Sequence, residues 1–188
     1  MKLVVGLGNP GREHDGTRHN AGFWWVDRLA AGGHVQLRPE ARFHGHAAKL
    51  IDAGRECWML KPNTFMNLSG RAVQALAQFY KIAPAEILVV HDELDLPPGD
   101  VRLKKGGGVA GHNGLKDVAA HMTPDFWRLR IGIGHPGGRG EVSNYVLNAP
   151  RKDELPLIQE AIGRSLETWP LLLEGKTEAA MLKLHTKA

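Results

Sequence analysis

The chain has 188 residues, 43% of them hydrophobic, and a formal net charge of +4, with a pI of about 9.3. This length suits one domain able to bury roughly 70% of its unfolded surface, so a core needs no staple. No apolar run approaches the roughly 20 residues of a membrane span, and residues 1–8 are too short and glycine-rich for a signal peptide. The single cysteine, Cys57 in Cys57-Trp58-Met59-Leu60, has no partner for an internal disulfide. It reads as a small buried hydrophobe, and the expected location is the reducing cytoplasm. The basic excess tilts towards a polyanionic partner, but where the charge clusters matters more.

In chain order, Leu3-Val4-Val5 opens a strand over 2–7 that empties into Gly6-Leu7-Gly8-Asn9-Pro10-Gly11 and then Thr17-Arg18-His19-Asn20-Ala21-Gly22. Loops at strand ends are where α/β proteins place their chemistry, which makes Asn9, His19 and Asn20 site candidates. A helix follows over about 21–31, then strands over 46–52 and 56–60 joined as a hairpin at Ala53-Gly54-Arg55. Further on come a helix at 67–80, strands at 86–91 and 101–104, a helix at 113–122, a strand at 128–133, and helices at 152–173 and 176–184. The alternation reads as an α/β fold: one domain over 1–188, with a mixed twisted sheet flanked by helices on both faces. Asn67 and Asn113 stand at expected helix N-caps, where an amide either caps the helix or meets substrate beside its positive end.

Gly6-Leu7-Gly8-Asn9-Pro10-Gly11 has the spacing of a dinucleotide-binding turn, yet its context fails. The third glycine leads into polar Arg12-Glu13-His14-Asp15-Gly16, and Asp27, at the right separation, lies in a helical pattern. Leu88-Val89-Val90-His91-Asp92-Glu93-Leu94-Asp95 is an apolar strand ending in acids. Asp92 is a plausible orienter for His19, since a carboxylate that accepts the Nδ1 proton leaves the other nitrogen as a base; a hard-metal site on His91, Asp92, Glu93 and Asp95 is the alternative. Ser69 has no nucleophile-elbow context, so a hydrolase of this design would activate water directly. Arg102, Lys104 and Lys105 before Gly106-Gly107-Gly108, with Arg128-Leu129-Arg130, form a candidate phosphate-binding face. The plainer alternative is a solvated basic strand and two loops.

Several blocks resemble bacterial-type peptidyl-tRNA hydrolases. They are Val5-Gly6-Leu7-Gly8-Asn9-Pro10-Gly11, Thr17-Arg18-His19-Asn20-Ala21-Gly22, Lys61-Pro62-Asn63-Thr64-Phe65-Met66-Asn67-Leu68-Ser69-Gly70, His91-Asp92-Glu93-Leu94-Asp95-Leu96-Pro97-Pro98-Gly99, Gly111-His112-Asn113-Gly114-Leu115-Lys116 and Arg128-Leu129-Arg130-Ile131-Gly132-Ile133-Gly134-His135-Pro136-Gly137. They recur in family order over nearly the whole chain. The resemblance implies a monomeric, cytoplasmic α/β enzyme with no metal and no cofactor. Such an enzyme hydrolyses the ester joining a peptide to the terminal ribose of tRNA and binds the acceptor end and 5′ phosphate. By position, the resemblance makes His19 the general base and Asp92 its orienter, sets Asn9 and Asn67 along the cleft, and has Asn113 bind substrate and position water. Lys104 and Arg130 fall where the family holds the 5′ phosphate. His14 stands at a substrate-binding position usually held by tyrosine, and Val109-Ala110 stand where His-Gly is frequent. A catalytically silent RNA-binding relative is the rival reading; retention of His19, Asp92 and the three asparagines favours the enzyme.

Overall fold

The computed structural model describes residues 1–186. One seven-stranded sheet, in the order β2-β3-β4-β1-β5-β7-β6, organises them. Its strands are β1 (Leu3–Gly6), β2 (Arg38–Glu40), β3 (Gly45–Asp52), β4 (Arg55–Pro62), β5 (Ile87–Glu93), β6 (Val101–Lys105) and β7 (Trp127–Gly132). β1 runs parallel to β4 and β5, and β5 parallel to β7, while β2–β3, β3–β4 and β6–β7 are antiparallel. The helices are α1 (Ala21–Gly32), α2 (Ser69–Phe79), α3 (Asn113–Met122), α4 (Val142–Val146), α5 (Leu155–Leu166), α6 (Trp169–Leu173) and α7 (Thr177–His185). Among the described residues no helix is long and apolar enough to cross a membrane.

Period-two alternation divides the core. Val4, Leu88, Val90, Leu129 and Ile131 pack with α1, α5, α6 and α7, while Leu3, Val5, Ile87 and Val89 pack with α2 and α3 on the other face. The chain leaves β1 for α1 on the first face and, beyond β5 and β6, enters α3 on the second. Its connections therefore part above β1 and β5, and they leave a crevice at the carboxyl ends of those strands, the usual ligand position in open α/β sheets.

The mixed sheet and its hairpin agree with the sequence reading; Ala53 and Gly54 turn the corner with φ of 48° and 76°. The expected helix over 152–173 is two helices, α5 and α6. Pro170, in the first turn of α6, has no N–H for a continuing helix, and the Thr168 hydroxyl donates to the Ser165 carbonyl at the break (2.6 Å). β2 and α4, three and five residues long, carry too few residues for a periodic signal.

Gly22 opens α1 against the sheet: a Cβ there would lie 2.3 Å from the Val90 carbonyl oxygen and 2.6 Å from the Leu7 nitrogen. Only glycine permits this approach, which seats the turn Arg18–Asn20 over the end of β5. Gly22→Ala is therefore expected to cost about 1–3 kcal/mol or more, as overpacking does. Gly32→Ala, at the far end of the same helix with nothing within 4 Å of its added carbon, should be neutral or stabilising by up to about 1 kcal/mol. Urea unfolding of both variants checks the contrast.

Candidate active site at the carboxyl ends of β1 and β5

β5 is buried along its whole length, polar end included, so Asp92 is only 3% exposed. Two imidazoles compensate its charge. His19, on the turn before α1, places Nδ1 3.0 Å and 2.9 Å from the two Asp92 oxygens. His112 Nε2 lies 2.8 Å from Oδ1. The His112 tautomer follows from its other nitrogen: Nδ1 accepts the Leu115 N–H (3.2 Å), so it bears no hydrogen and Nε2 donates to Asp92. Asp92 thereby holds the His19 Nδ1–H, leaving Nε2 as a lone pair with no partner among the described residues. His19, Asp92 and His112 line a cavity of about 90 Å³ with Glu93, Gly111 and Asn113, closed on one side by Val142, Ser143 and Val146 of α4.

Opposing effects set the charge states. Burial pulls the His19 pKa down, but the Asp92 carboxylate, by charge and hydrogen bond, outweighs it and lifts the net value above 6.5. Burial also disfavours the Asp92 anion, yet the two imidazoles hold its carboxyl well below the usual carboxylate range. His91, the residue before it on β5, has the opposite fate. Fully buried, with Nδ1 donating to the Asp92 carbonyl (2.8 Å) and Nε2 without a partner among the described residues, it is pushed down to about 3.

The asparagines divide. Asn20 brackets the backbone of Asn9, accepting from its N–H (2.8 Å) and donating to its carbonyl (3.0 Å). Asn9 Oδ1 accepts from the Met66 N–H (2.7 Å), pinning the turn Met66–Leu68 to the loop after β1, while its Nδ2 keeps no partner among the described residues. Asn67 is exposed on that turn and does not cap α2, whose N-cap position is Leu68. Asn113 likewise is not a cap. His112 is the N-cap of α3, which leaves Asn113, its first residue, exposed and lining the cavity. His112 is the site residue that sequence reasoning misses: beside an Asn at a helix start, a histidine cap is the rarer choice. His14 does not line the cavity; its ring lies 3.8 Å from Glu13. Ser69 is fully buried, with its hydroxyl donating to the Met66 carbonyl (2.7 Å).

Three residues of the alternative metal site are spent separately: His91 and Asp92 as above, and Glu93 on Arg130 Nε (2.8 Å). His19, Asp92 and His112 do bring donor atoms within 4.8 Å of one another, but Asp92 already spends both oxygens on imidazole N–H groups. The dinucleotide reading fails in structure as well, since Gly11 enters a 3-10 turn (Arg12–His14) and Asp27 pairs with Lys61 (2.8 Å). Cys57 is buried, and burial pushes its thiol up to about 12.

The basic residues are not equivalent. Lys104 and Arg130 line a cavity of about 280 Å³ that shares Glu93 and Ala110 with the one that holds His19. Arg128 stands opposite Lys104 in the sheet but is 2% exposed. Its guanidinium donates to the carbonyls of Gly107 (3.0 Å), Pro124 (3.2 Å) and Gly108, holding the glycine loop in place. Ala110 follows that loop in the left-handed region (φ 46°), where the glycine common in the resembled family would be at ease.

An α/β sheet with a carboxylate-backed histidine at the carboxyl ends of its central strands defines the class. Residues 3–188 match the family model described as peptidyl-tRNA hydrolase, and the chain belongs to that family. It is 61% identical to the peptidyl-tRNA hydrolase of Nitrosospira multiformis, covering 100% of this chain and 98% of that one. For the same enzyme of Methylobacillus flagellatus the identity is 62%, covering 100% and 97%. The crystal structure of peptidyl-tRNA hydrolase from Acinetobacter baumannii superposes with a TM-score of 0.97 at 46% identity, covering 99% of this chain and 95% of that one.

An NMR titration should find the His19 imidazole above 6.5. In Asp92→Asn the carboxylate that raises it is gone and burial remains, so its pKa should fall below the native value. An unchanged His19 midpoint would remove Asp92 as the source of the shift.

Proposed function

We propose that this chain hydrolyses peptidyl-tRNA, releasing tRNA for reuse, with His19 as the base that activates water and Asp92 as its orienter. The observation that carries the reading is the His19 ring itself, Nδ1 held by a buried carboxylate and Nε2 open to the cleft, in a chain of this family. Water is the attacking group: Ser69 and Cys57 are buried, and Ser143, which lines the cavity, makes no hydrogen bond to His19 among the described residues that would activate it. His19 Nε2 takes a proton as the water oxygen bonds to the ester carbonyl carbon. The carbonyl oxygen becomes an oxyanion, and the amide of Asn113, which lines the cavity, is the donor proposed to meet it, with Asn9 as the further amide of the cleft. When the carbon–oxygen bond to ribose breaks, the imidazolium returns the proton to the leaving ribose oxygen. The products are the peptide acid and tRNA with a free terminal hydroxyl. Asp92 favours the imidazolium between these steps and stays ionised throughout.

Asn67 is read as meeting the peptide or the acceptor end, a reading supported by its exposure on the turn that Asn9 pins. Lys104 and Arg130 share the neighbouring cavity and are read as the contact to the tRNA 5′ phosphate, a role that needs charge and no base reading. The design calls for no metal or organic cofactor, and because His19, Asp92 and His112 come from one chain, a monomer in the cytoplasm suffices.

His19→Ala should lower the rate of peptide release on the order of 100- to 10,000-fold while tRNA binding persists. The acid limb of kcat/KM should have its midpoint above 6.5, because His19 must be neutral to act and its pKa is raised. Near-normal release by the variant would end the mechanism.

Lys104→Ala and Arg130→Ala should raise KM for peptidyl-tRNA and flatten its salt dependence by roughly one unit or less per lost contact. A blocked peptide esterified to a short CCA fragment lacks the 5′ phosphate and should be cleaved almost equally by all three proteins. Equal loss on both substrates would place these side chains at the cleft or in support of the fold.

A further inference from the structure

Arg18 precedes His19, is 5% exposed and takes no part in the chemistry above. Its guanidinium nevertheless joins three segments. Nη2 donates to Glu154 Oε1 (3.0 Å) just before α5, and Nη1 donates to the Tyr145 carbonyl (2.9 Å) in α4. The guanidinium carbon also lies 3.8 Å from the centroid of the Tyr145 ring. The Arg18 backbone N–H adds a bond to the Asn148 carbonyl (3.0 Å) just beyond α4. Glu154, 8% exposed, is itself fixed by the Arg151 backbone N–H (3.0 Å).

α4 needs such an anchor. Five residues are too few for a helix to stand alone, and the segment leading into it carries Gly132, Gly134, Gly137, Gly138 and Gly140. Yet Val142, Ser143 and Val146 of α4 form one wall of the cavity that holds His19. Val146 belongs to the core, and the Tyr145 hydroxyl donates to the Ile133 carbonyl (2.6 Å), so the helix has a seat as well as a tie.

We infer that Arg18 is a positioning residue that latches α4 against the cleft, setting how tightly the acyl side of the substrate is held without adjusting the His19–Asp92 pair. The inference rests on the proposed hydrolysis. Only arginine can serve this way, because its planar fork reaches Glu154 and the Tyr145 carbonyl together and lies on the ring, whereas a lysine ammonium is a point charge. Because removing one partner of a buried pair strands the other, the informative variants are Arg18→Lys and the double variant Arg18→Met/Glu154→Gln.

With purified peptidyl-tRNA, both should raise KM about tenfold, as expected if the seated fraction of α4 falls to about one tenth, with kcat changed less than about twofold. The acid-limb midpoint should stay where it is in the unaltered chain. Hydrogen exchange should quicken at residues 142–148 and stay slow in β1 and β5. The latch is overturned if kcat falls at constant KM, if the acid midpoint moves, if exchange quickens throughout the sheet, or if kinetics and exchange are both unchanged. Release by the unaltered chain, measured first, tests the underlying reading; exchange in α4 tests the latch whichever way that comes out.

Discussion

Asp92 ends a strand buried on both faces, and an anion in that position needs donors that do not drift away. Exposed carboxylates find water, whereas this one has two imidazoles, one from each side of the sheet: His19 from the turn feeding α1 and His112 from the cap of α3. The strand order makes the meeting possible, since the connections part above β1 and β5. The Gly22 contact then brings α1 close enough for His19 to reach. Burial, topology and one missing Cβ thus converge on a single carboxylate.

Comparison of His19 with His91 shows how little the residue type decides. Both are buried within reach of Asp92, one against its carboxylate and the other against its main-chain carbonyl. Desolvation opposes the charged form of each. Where an anion faces the ring the balance turns and the pKa rises; where only a neutral carbonyl does, burial prevails and His91 remains a neutral filler at about 3. His112 is fixed in another way, because its Nδ1 accepts the Leu115 N–H and only Nε2 is left to donate to Asp92.

The fold is legible in the sequence wherever a period runs long enough. β1, β3, β4, β5, β7, α1 and α3 lie within a residue or two of the sequence reading, because alternation or a helical stripe continues through them. β2 and α4 escape it, since short elements are specified by what they pack against. The site divides similarly. His19 and Asp92 stand out because chemistry-bearing residues at strand ends are conspicuous. His112 does not, because its role depends on a tautomer set by a hydrogen bond three residues on. Asn67 and Asn113 draw attention as caps, by a propensity that holds for Asn in general and is overridden here by Leu68 and His112. The family resemblance supplies the roles, and no spacing in the chain distinguishes Asn113 from any other exposed amide.

The basic strand pair makes the same point for charge. Lys104, Arg102, Arg128 and Arg130 occupy neighbouring positions of β6 and β7, and from composition each is an equal candidate for an anion. In the fold, Arg128 is buried beneath the glycine loop and its two Nη groups donate to the carbonyls of Gly107, Gly108 and Pro124, so its charge is spent largely on holding that loop. Arg130 instead gives Glu93 its Nε alone, and that same Glu93 follows Asp92 on β5 and borders both cavities. The wall between the cavity of Lys104 and that of His19 is therefore a carboxylate whose charge is offset by the arginine it orients. Lys104 and Arg130 lie on one side of that wall, and His19, held by Asp92, lies on the other.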